Sequence, residues 1–191
     1  MEVLEFRKIR VSDRFEKRFD AWSRIYEYPM VLDMIEKYKP NKDISIHNSS
    51  WGHKGCHVTF KNTLEKKYKN VINTDISPSR YPNTGIWNIT KENKSFEEKF
   101  DVVLNVSTIE EVNFDHVTIF NNLLKQVKPN GLVICTFDIP GIQLDKISFH
   151  IDKEIERFDD ELNGSNSAVP VQKYRSLTCG VLVVRKWKKD L

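Results

Sequence analysis

The feature that most constrains the fold is a pair of short apolar runs, Asp101–Val106 and Leu132–Phe137, separated by a segment of helical length. Neither run alternates polar and apolar residues at its centre, as expected of strands that helices cover on both faces. The segment from about Asp115 to Val127 has apolar residues at helical spacing, and Lys128–Gly131 ends it. Strand, helix and strand in this order indicate a doubly wound, mostly parallel α/β sheet with helices on both faces.

The same alternation runs through the preceding part of the chain. Strands are predicted at Ile44–His47 and at Val71–Ile76, and the loop Asn48–Gly55 follows the first of them. Between the two strands, a helix is predicted from the apolar positions Val58, Phe60, Leu64 and Tyr68. Repetition of the strand and helix pattern extends the predicted parallel sheet back to about residue 44.

Both ends of the chain add elements to this core. Apolar residues at helical spacing predict a first helix through Phe15, Phe19, Trp22 and Ile25. Proline suits the first position of a helix, so Pro29 is predicted to begin a second one, with the inner face Val31, Leu32, Ile35 and Tyr38. Near the C-terminus we expect a helix over Ile151–Leu162 and an antiparallel pair formed by Ala168–Val171 and Leu177–Trp187.

Length and composition suit one domain. The 191 residues are 39% hydrophobic and 30% charged, which is ordinary for a soluble globular chain. We expect a single domain over residues 1–191, with a helical extension at 1–40, a ligand-binding core at 41–140 and a substrate-side region with closing strands at 141–191. The net charge of +3 comes from scattered basic residues, so we expect no nucleic-acid partner, and the oligomeric state stays open.

Cysteine usage and hydropathy bear on the compartment. The three cysteines Cys56, Cys135 and Cys179 are far apart and form no CxxC motif, which argues against a disulfide framework. No apolar run reaches the length of a membrane span, and the first residues are charged throughout. We therefore expect a cytoplasmic protein with no membrane partner.

The ligand of an open α/β sheet binds beyond the carboxyl ends of its strands. The small residues of Asn48–Gly55 would let backbone N–H groups approach a ligand after the first core strand. Asp75 follows about twenty residues beyond Gly55, where a carboxylate can accept hydrogen bonds from both hydroxyls of a ribose. The alternative is that Asp75 only caps the turn Ser77–Ser79.

Polar residues also follow the later strands. Asn105, Ser107, Thr108, Glu110 and Glu111 come after one strand, and Asp138 follows the next. These residues could meet a substrate, although helix capping is the alternative for Ser107 and Thr108.

Other chemistries find little support in the sequence. His53, Cys56 and His57 lie close together, but at least one further zinc ligand would have to come from elsewhere, so no metal is expected. The nucleophile-elbow motif GxSxG and the Walker phosphate-binding loop do not occur.

The order of these segments resembles the class I, Rossmann-like S-adenosylmethionine-dependent methyltransferases. The resemblance rests on the small-residue loop after the first core strand and the helix after it, followed by VINTDISPS, WNITKEN, FDVVLNVSTIEEV and LLKQVKPNGLVICTF, which together cover about residues 44–140. The chain departs from the family where SIHNSSWG replaces a loop close to D/E-x-G-x-G-x-G, and where Glu111 stands in place of a common histidine.

The resemblance implies S-adenosylmethionine as cofactor and assigns its contacts position by position. The loop after the first core strand would line the amino-acid end, Asp75 would bind the ribose, and Ile76 would flank the adenine. Residues 88 and 89 would contact the edge and face of the adenine, and residues 105–107 would pass beneath the methionine portion. The implied cofactor-binding residues are Asn48, Ser49, Ser50, Trp51, Gly52, Asp75, Ile76, Asn88, Ile89, Asn105, Val106 and Ser107.

The first functional hypothesis is methyl transfer to a small molecule, for which the protein mainly aligns an in-line attack. Glu110 is the first candidate for a general base, ahead of Glu111 and Asp138. The alternatives are a non-catalytic binding or scaffold protein of the same fold and an NAD-dependent oxidoreductase. The lack of a GxGxxG motif counts against the oxidoreductase.

Overall fold

The computed structural model of the chain describes residues 1–9, 13–19, 23–139, 168–171 and 174–187. These residues form three α-helices: α1 (Arg24–Tyr38), α2 (Cys56–Lys67) and α3 (His116–Gln126). They also form eight strands: β1 (Glu2–Lys8), β2 (Ser45–Ser49), β3 (Asn70–Asp75), β4 (Thr84–Ile86), β5 (Phe100–Val106), β6 (Val127–Ile139), β7 (Ala168–Val171) and β8 (Tyr174–Arg185).

The strands make one mixed sheet in the order β1-β8-β6-β5-β2-β3-β4, with β7 paired to β8 away from this path. Strands β2 to β6 are parallel, whereas β8 runs antiparallel to β6, β1 and β7. The predicted doubly wound, mostly parallel sheet with an antiparallel C-terminal strand is therefore confirmed. Strand β2 lies between β3 and β5, so the strand order reverses there and opens a crevice at the carboxyl ends of the strands.

Two apolar layers cover the two faces of this sheet. Helices α1 and α2 pack on one face against Val102 and Leu104, while α3 packs on the other face against Val103. Successive side chains of a strand point to opposite faces, so adjacent residues of β5 enter different layers. The side chains of Val102, Val103 and Leu104 are all fully buried. Cover on both faces explains why these strands show no polar alternation.

The N-terminal region differs from the predicted helical extension over residues 1–40. Residues 2–8 form the edge strand β1, whose Phe6 is 1% exposed and packs against Phe137 with ring centroids 6.3 Å apart. Phe6 pairs with Leu182 of β8, which lies at the other end of the chain. Local periodicity carries no sign of so distant a partner, and the prediction missed the strand for that reason.

The two predicted N-terminal helices also need correction. Among the described residues before α1, only Lys17–Phe19 is helical, as a short 3-10 turn, and Phe15 is exposed, while Trp22 lies outside the described residues. Pro29 does not begin a helix but lies inside α1. Proline has no N–H for the carbonyl four residues earlier, and the Ile25 carbonyl accepts a hydrogen bond from the Glu16 amide at 2.9 Å instead. Support from outside the helix thus lets α1 continue through the proline.

Two further element boundaries differ from the predicted ones. Asn48 and Ser49, predicted in a loop, are the last residues of β2. Lys128–Gly131 belongs to β6, where a bulge interrupts the pairing with β5, although it was expected only to end the preceding helix. The predicted pairing of Ala168–Val171 with the last strand is confirmed. The helix expected at Ile151–Leu162 lies outside the described residues.

Candidate functional site

A cavity of about 490 Å³, called the switch-point cavity below, opens at the carboxyl ends of β2, β3 and β5, where the strand order reverses. Its volume is within the usual range of small-molecule sites. The lining residues come from these strand ends, from the segment after β4 and from helices α1 and α2: Arg24, Tyr28, Asn48, Ser50, Trp51, Gly52, His57, Asp75, Ile76, Trp87, Asn88, Ile89, Thr90, Val106, Ser107, Thr108 and Val112.

The structure brings together ten of the twelve residues predicted to bind a cofactor. The lining includes Asn48, Ser50, Trp51, Gly52, Asp75, Ile76, Asn88, Ile89, Val106 and Ser107. Ser49 and Asn105, the other two, do not line the cavity. Ser49 Oγ donates to the Leu104 carbonyl at 2.7 Å and accepts from Asn105 Nδ2 at 3.0 Å. These two side chains therefore join β2 to β5 below the cavity floor.

The loop after β2 approaches the cavity with few glycines. Ser50 and Gly52 both have positive φ, at 54° and 64°, and the amide of Trp51 between them donates to the Thr74 carbonyl at 3.2 Å. A Cβ on Gly52 would lie 2.9 Å from Cδ2 of His57, closer than real Cβ contacts come. Gly52 is therefore required both by its backbone conformation and by the histidine ring packed against it.

Asp75 combines the two roles that the sequence left open. Its Oδ1 accepts from the amide of Ser77 at 3.1 Å, which caps the turn, and its Oδ2 accepts from the amide of Gly52 at 3.2 Å. His53 Nε2 lies 3.2 Å from Oδ1. The carboxylate also lines the cavity. The capping contacts hold it there with a fixed orientation at the end of β3.

An apolar wall continues beyond Asp75. Trp87 and Ile89 are nearly fully buried, whereas Ile76 is 65% exposed. The amide of Trp87 donates to the Asp75 carbonyl at 2.9 Å, which fixes this wall to the end of β3. Next to it, Asn88 Oδ1 accepts from the amide of Thr90 at 2.9 Å. Ile76 on one side and Ile89 with Trp87 on the other can hold a flat aromatic group.

Helix α1 supplies the part of the cavity that the sequence prediction missed. Arg24 and Tyr28, one helical turn apart, both line the cavity. Arg24 forms an ion pair with Glu27, whose carboxylate is fully buried and accepts hydrogen bonds from Ser107 and, at 2.6 Å, from Ser23. Burial raises the pKa of Glu27, but Arg24 and the two hydroxyls outweigh it and hold the pKa below its usual value.

The hydroxyl of Ser107 is therefore engaged in anchoring α1 to the end of β5. Thr108 precedes a short 3-10 turn but makes no side-chain cap there. The two side chains therefore make other contacts in place of the helix caps that the sequence left open. Ser107 donates to Glu27, and Thr108 donates to the Val106 carbonyl at 3.1 Å.

Tyr28 also bonds to His57, a further lining residue that was not among those predicted to bind a cofactor. The Tyr28 hydroxyl and His57 Nδ1 share a hydrogen bond, and the Tyr28 ring stacks on Phe60 at 3.9 Å. Burial and the positive charge of Arg24 lower the pKa of His57. The sequence signal for Tyr28 and Arg24 was their four-residue spacing on an amphipathic helix, which is the same signal that marks core residues.

Glu110, the first candidate base, does not line the cavity. It lies in the 3-10 turn Ile109–Glu111, and its Oε1 accepts from the amide of Asp138 at 2.8 Å. Its Oε2 is buried and has no hydrogen-bond partner among the described residues. Burial raises the pKa of Glu110 to about 8, and the nearby carboxylates of Glu27 and Asp138 add to the shift.

The described residues contain no group of three or more His, Cys, Asp or Glu side chains placed to hold a metal ion. Cys56, Cys135 and Cys179 are all free and buried. In the parts of the chain that the structure describes, no helix combines the length and apolar character needed to cross a bilayer.

Comparison by sequence finds no matching family model and no matching curated protein. Comparison by structure finds methyltransferases. The N1-methyltransferase of 1,6-didemethyltoxoflavin from Burkholderia thailandensis, solved with S-adenosylhomocysteine, has a TM-score of 0.59 and 11% identity over 85% of this chain and 79% of its own. The N-methyltransferase NodS from Bradyrhizobium japonicum WM9 has a TM-score of 0.54 and 13% identity over 84% of this chain and 94% of its own.

The DszA carbon methyltransferase has a TM-score of 0.51 and 14% identity over 83% of this chain. The chain spans about half of that protein, 52% of its length. At such low identity the likeness concerns the fold, and fold alone does not fix an activity. The strand order, the switch-point cavity and these structural neighbours together show that the chain has the Rossmann-like fold of the class I S-adenosylmethionine-dependent methyltransferases.

Proposed function

We propose that the chain is an S-adenosylmethionine-dependent methyltransferase that acts on a small molecule, with the switch-point cavity as its cofactor site. The observation that carries the proposal is the order of groups along this cavity. Among the described lining residues, Asp75 is the one carboxylate and Arg24 is the one guanidinium or ammonium group. Asp75 ends β3, and Arg24 is connected through Glu27 to Ser107, which follows β5. Strand β2 lies between these two strands, whose backbones are therefore about 10 Å apart, two strand spacings.

The residues present fit a ligand with an adenine, a ribose and an amino-acid end in this order. The cleft between Ile76 and Ile89 suits the adenine, and the Asp75 carboxylate suits the ribose hydroxyls. Arg24 suits a carboxylate, since it is the one guanidinium or ammonium group among the described lining residues. Gly52 has a positive φ and no side chain, so the His57 ring can pack directly on its backbone beside the cavity.

The bound cofactor would supply an activated methyl group, and the chain's residues would orient the acceptor and exclude water. For an acceptor that must lose a proton, Glu110 as the base stays a prediction, because its side chain does not line the cavity. Its pKa of about 8 is close to an ordinary working pH. Its Oε1 accepts from the Asp138 amide and its Oε2 is buried, so the side chain would have to turn before it met an acceptor. Thr108 and Val112 flank this residue and reach the cavity, which brings the acceptor to that side.

A thermal-shift experiment with S-adenosylmethionine, S-adenosylhomocysteine and NAD tests the proposal. A ligand at 100 times its dissociation constant adds about 2.7 kcal/mol, and each kcal/mol raises the midpoint of a domain of this size by roughly 2–4 °C. We expect a rise of about 5–10 °C with the first two ligands and none with NAD. A rise with NAD alone would favour the oxidoreductase, and no rise with any ligand at millimolar concentration would favour the scaffold protein.

A further inference from the structure

His57 lies on the cavity wall between the two charged groups. Its ring packs against Gly52, whose amide donates to Asp75, and its Nδ1 bonds to Tyr28, which lies one helical turn from Arg24. A continuous series of contacts therefore crosses the cavity from the end of β3 to α1. Within it, His57 is the side chain in the middle, over the stretch between the proposed ribose and carboxylate positions.

The hydrogen bond to Tyr28 determines what His57 offers to a ligand. The Tyr28 phenol lies between the Arg24 guanidinium and His57, and the charge of Arg24 acts on it. A guanidinium has no acceptor, so of these two neighbours only His57 Nδ1 can accept the phenol proton. With Nδ1 accepting, the neutral imidazole carries its proton on Nε2.

Nε2 is free to meet a ligand. Among the described residues it has no hydrogen-bond partner, and it lies 3.4 Å from the position that a Cβ on Gly52 would take. Gly52 and His57 both line the cavity. Burial and Arg24 lower the pKa of His57, which keeps the imidazole neutral and its tautomer defined near pH 7.

We propose that His57, oriented by Tyr28, donates a hydrogen bond from Nε2 to the amino-acid end of the cofactor, beside Arg24. The inference rests on the proposed function, because it assigns a second polar contact within the same site. Tyr28 is a positioning residue that acts through His57. The arrangement gives the serine-rich loop a side-chain donor close to the backbone of Gly52, where the chain has few glycines.

Calorimetric titration with S-adenosylhomocysteine and with adenosine, which lacks the amino-acid end, tests this assignment. We expect His57→Phe to lower the affinity for S-adenosylhomocysteine about 10-fold and to leave the affinity for adenosine unchanged. Tyr28→Phe should produce a smaller loss, and the double variant should bind no more weakly than His57→Phe alone, because both changes remove one contact. His57→Gln, which restores an N–H donor, should recover part of the affinity and serves if the phenylalanine variant does not fold.

Tyr68→Phe is the matched control, since the hydroxyl of Tyr68 is buried without a partner away from this cavity. This variant should bind both ligands as the wild type does. Equal affinities of wild type and His57→Phe for S-adenosylhomocysteine would overturn the assignment and leave the proposed function intact. An equal loss for adenosine would also overturn it, because the contact would then lie on the nucleoside. A folded wild-type protein that binds neither ligand would instead overturn the proposed function.

Discussion

The amide of Gly52 donates a hydrogen bond to Oδ2 of Asp75 at 3.2 Å and ties the loop after β2 to the end of β3. The contact joins two residues that the resemblance assigned to different parts of one ligand. Asp75 therefore holds the shape of the loop in addition to facing the cavity. Changes at either residue should affect ligand binding, but for different physical reasons.

Asp75→Ala should lower the affinity for S-adenosylhomocysteine by about 10- to 150-fold, since a hydrogen bond to a charged group is worth roughly 1.5–3 kcal/mol. Calorimetric titration measures the change, and circular dichroism checks that the variant is folded. Asp115→Ala is the control. Asp115 caps α3 through the amide of Thr118 at 2.9 Å, so its loss should cost about 1 kcal/mol of stability and no affinity. Unchanged affinity in a folded Asp75→Ala protein would remove Asp75 from the site.

Gly52→Ala and Gly55→Ala separate backbone strain from steric interference. Both glycines have positive φ, at 64° and 53°, so each alanine should cost at least about 1–2 kcal/mol of stability. A Cβ at Gly52 would collide with His57, whereas none of the described residues comes within 4 Å of a Cβ at Gly55. We therefore expect only Gly52→Ala to weaken binding of S-adenosylhomocysteine. A comparable loss of affinity in both variants would show that the loop responds to strain alone.

The core of this fold could be predicted from the sequence because its signals are local. The runs at Asp101–Val106 and Leu132–Phe137 show no polar alternation at their centres, and the structure places them as neighbouring parallel strands. Strand β1 could not be found in the same way, because its pairing with β8 joins opposite ends of the chain. Continuation of α1 through Pro29 depends on the distant amide of Glu16, which no periodicity reveals.

The candidate site likewise contains residues that the sequence could place and residues that it could not. Residues directly after strands, such as Asp75 and Val106, could be placed at the cavity because parallel strands end at one edge of the sheet. Ser49 could not be excluded from the lining, since one residue of strand register turns a side chain to the other face. Arg24 and His57 were missed because each lies on a helix that reaches this edge of the sheet. The spacing of residues along such a helix is the same for residues that line a cavity and for residues of the core.

Glu110 predicts a dependence of stability on pH. Burial raises its pKa from 4.5 to about 8, so the folded state binds more protons than the unfolded state between these values. The free energy of unfolding should fall as pH rises through this window, by about 2 kcal/mol between pH 6 and pH 8. Glu110→Gln keeps the acceptor for the Asp138 amide but cannot ionise. Urea unfolding should therefore show a smaller decrease over this range in the variant, and equal decreases in both proteins would exclude Glu110 as the source.

The ion pair between Arg24 and Glu27 predicts a larger effect on folding. The Glu27 carboxylate is fully buried and Arg24 is its cation, so Arg24→Met leaves a buried charge without compensation. We expect a loss of about 3–5 kcal/mol at pH 7 without ligand. In the wild type the pKa of Glu27 is lowered, so its contribution is present above pH 4.5 and declines as pH falls through the lowered pKa.

In Arg24→Met the contribution of Glu27 to stability changes with pH in the opposite direction, because burial without a cation raises the pKa of Glu27. Acid then favours the folded state by protonating Glu27. The difference in stability between the two proteins should therefore narrow from pH 7 to pH 5 in urea unfolding. Arg24→Met combined with Glu27→Gln keeps an acceptor for Ser107 and Ser23 without the charge. This double variant should recover most of the lost stability at pH 7. If it is less stable than Arg24→Met alone, the loss comes from packing of the arginine side chain and not from the uncompensated charge.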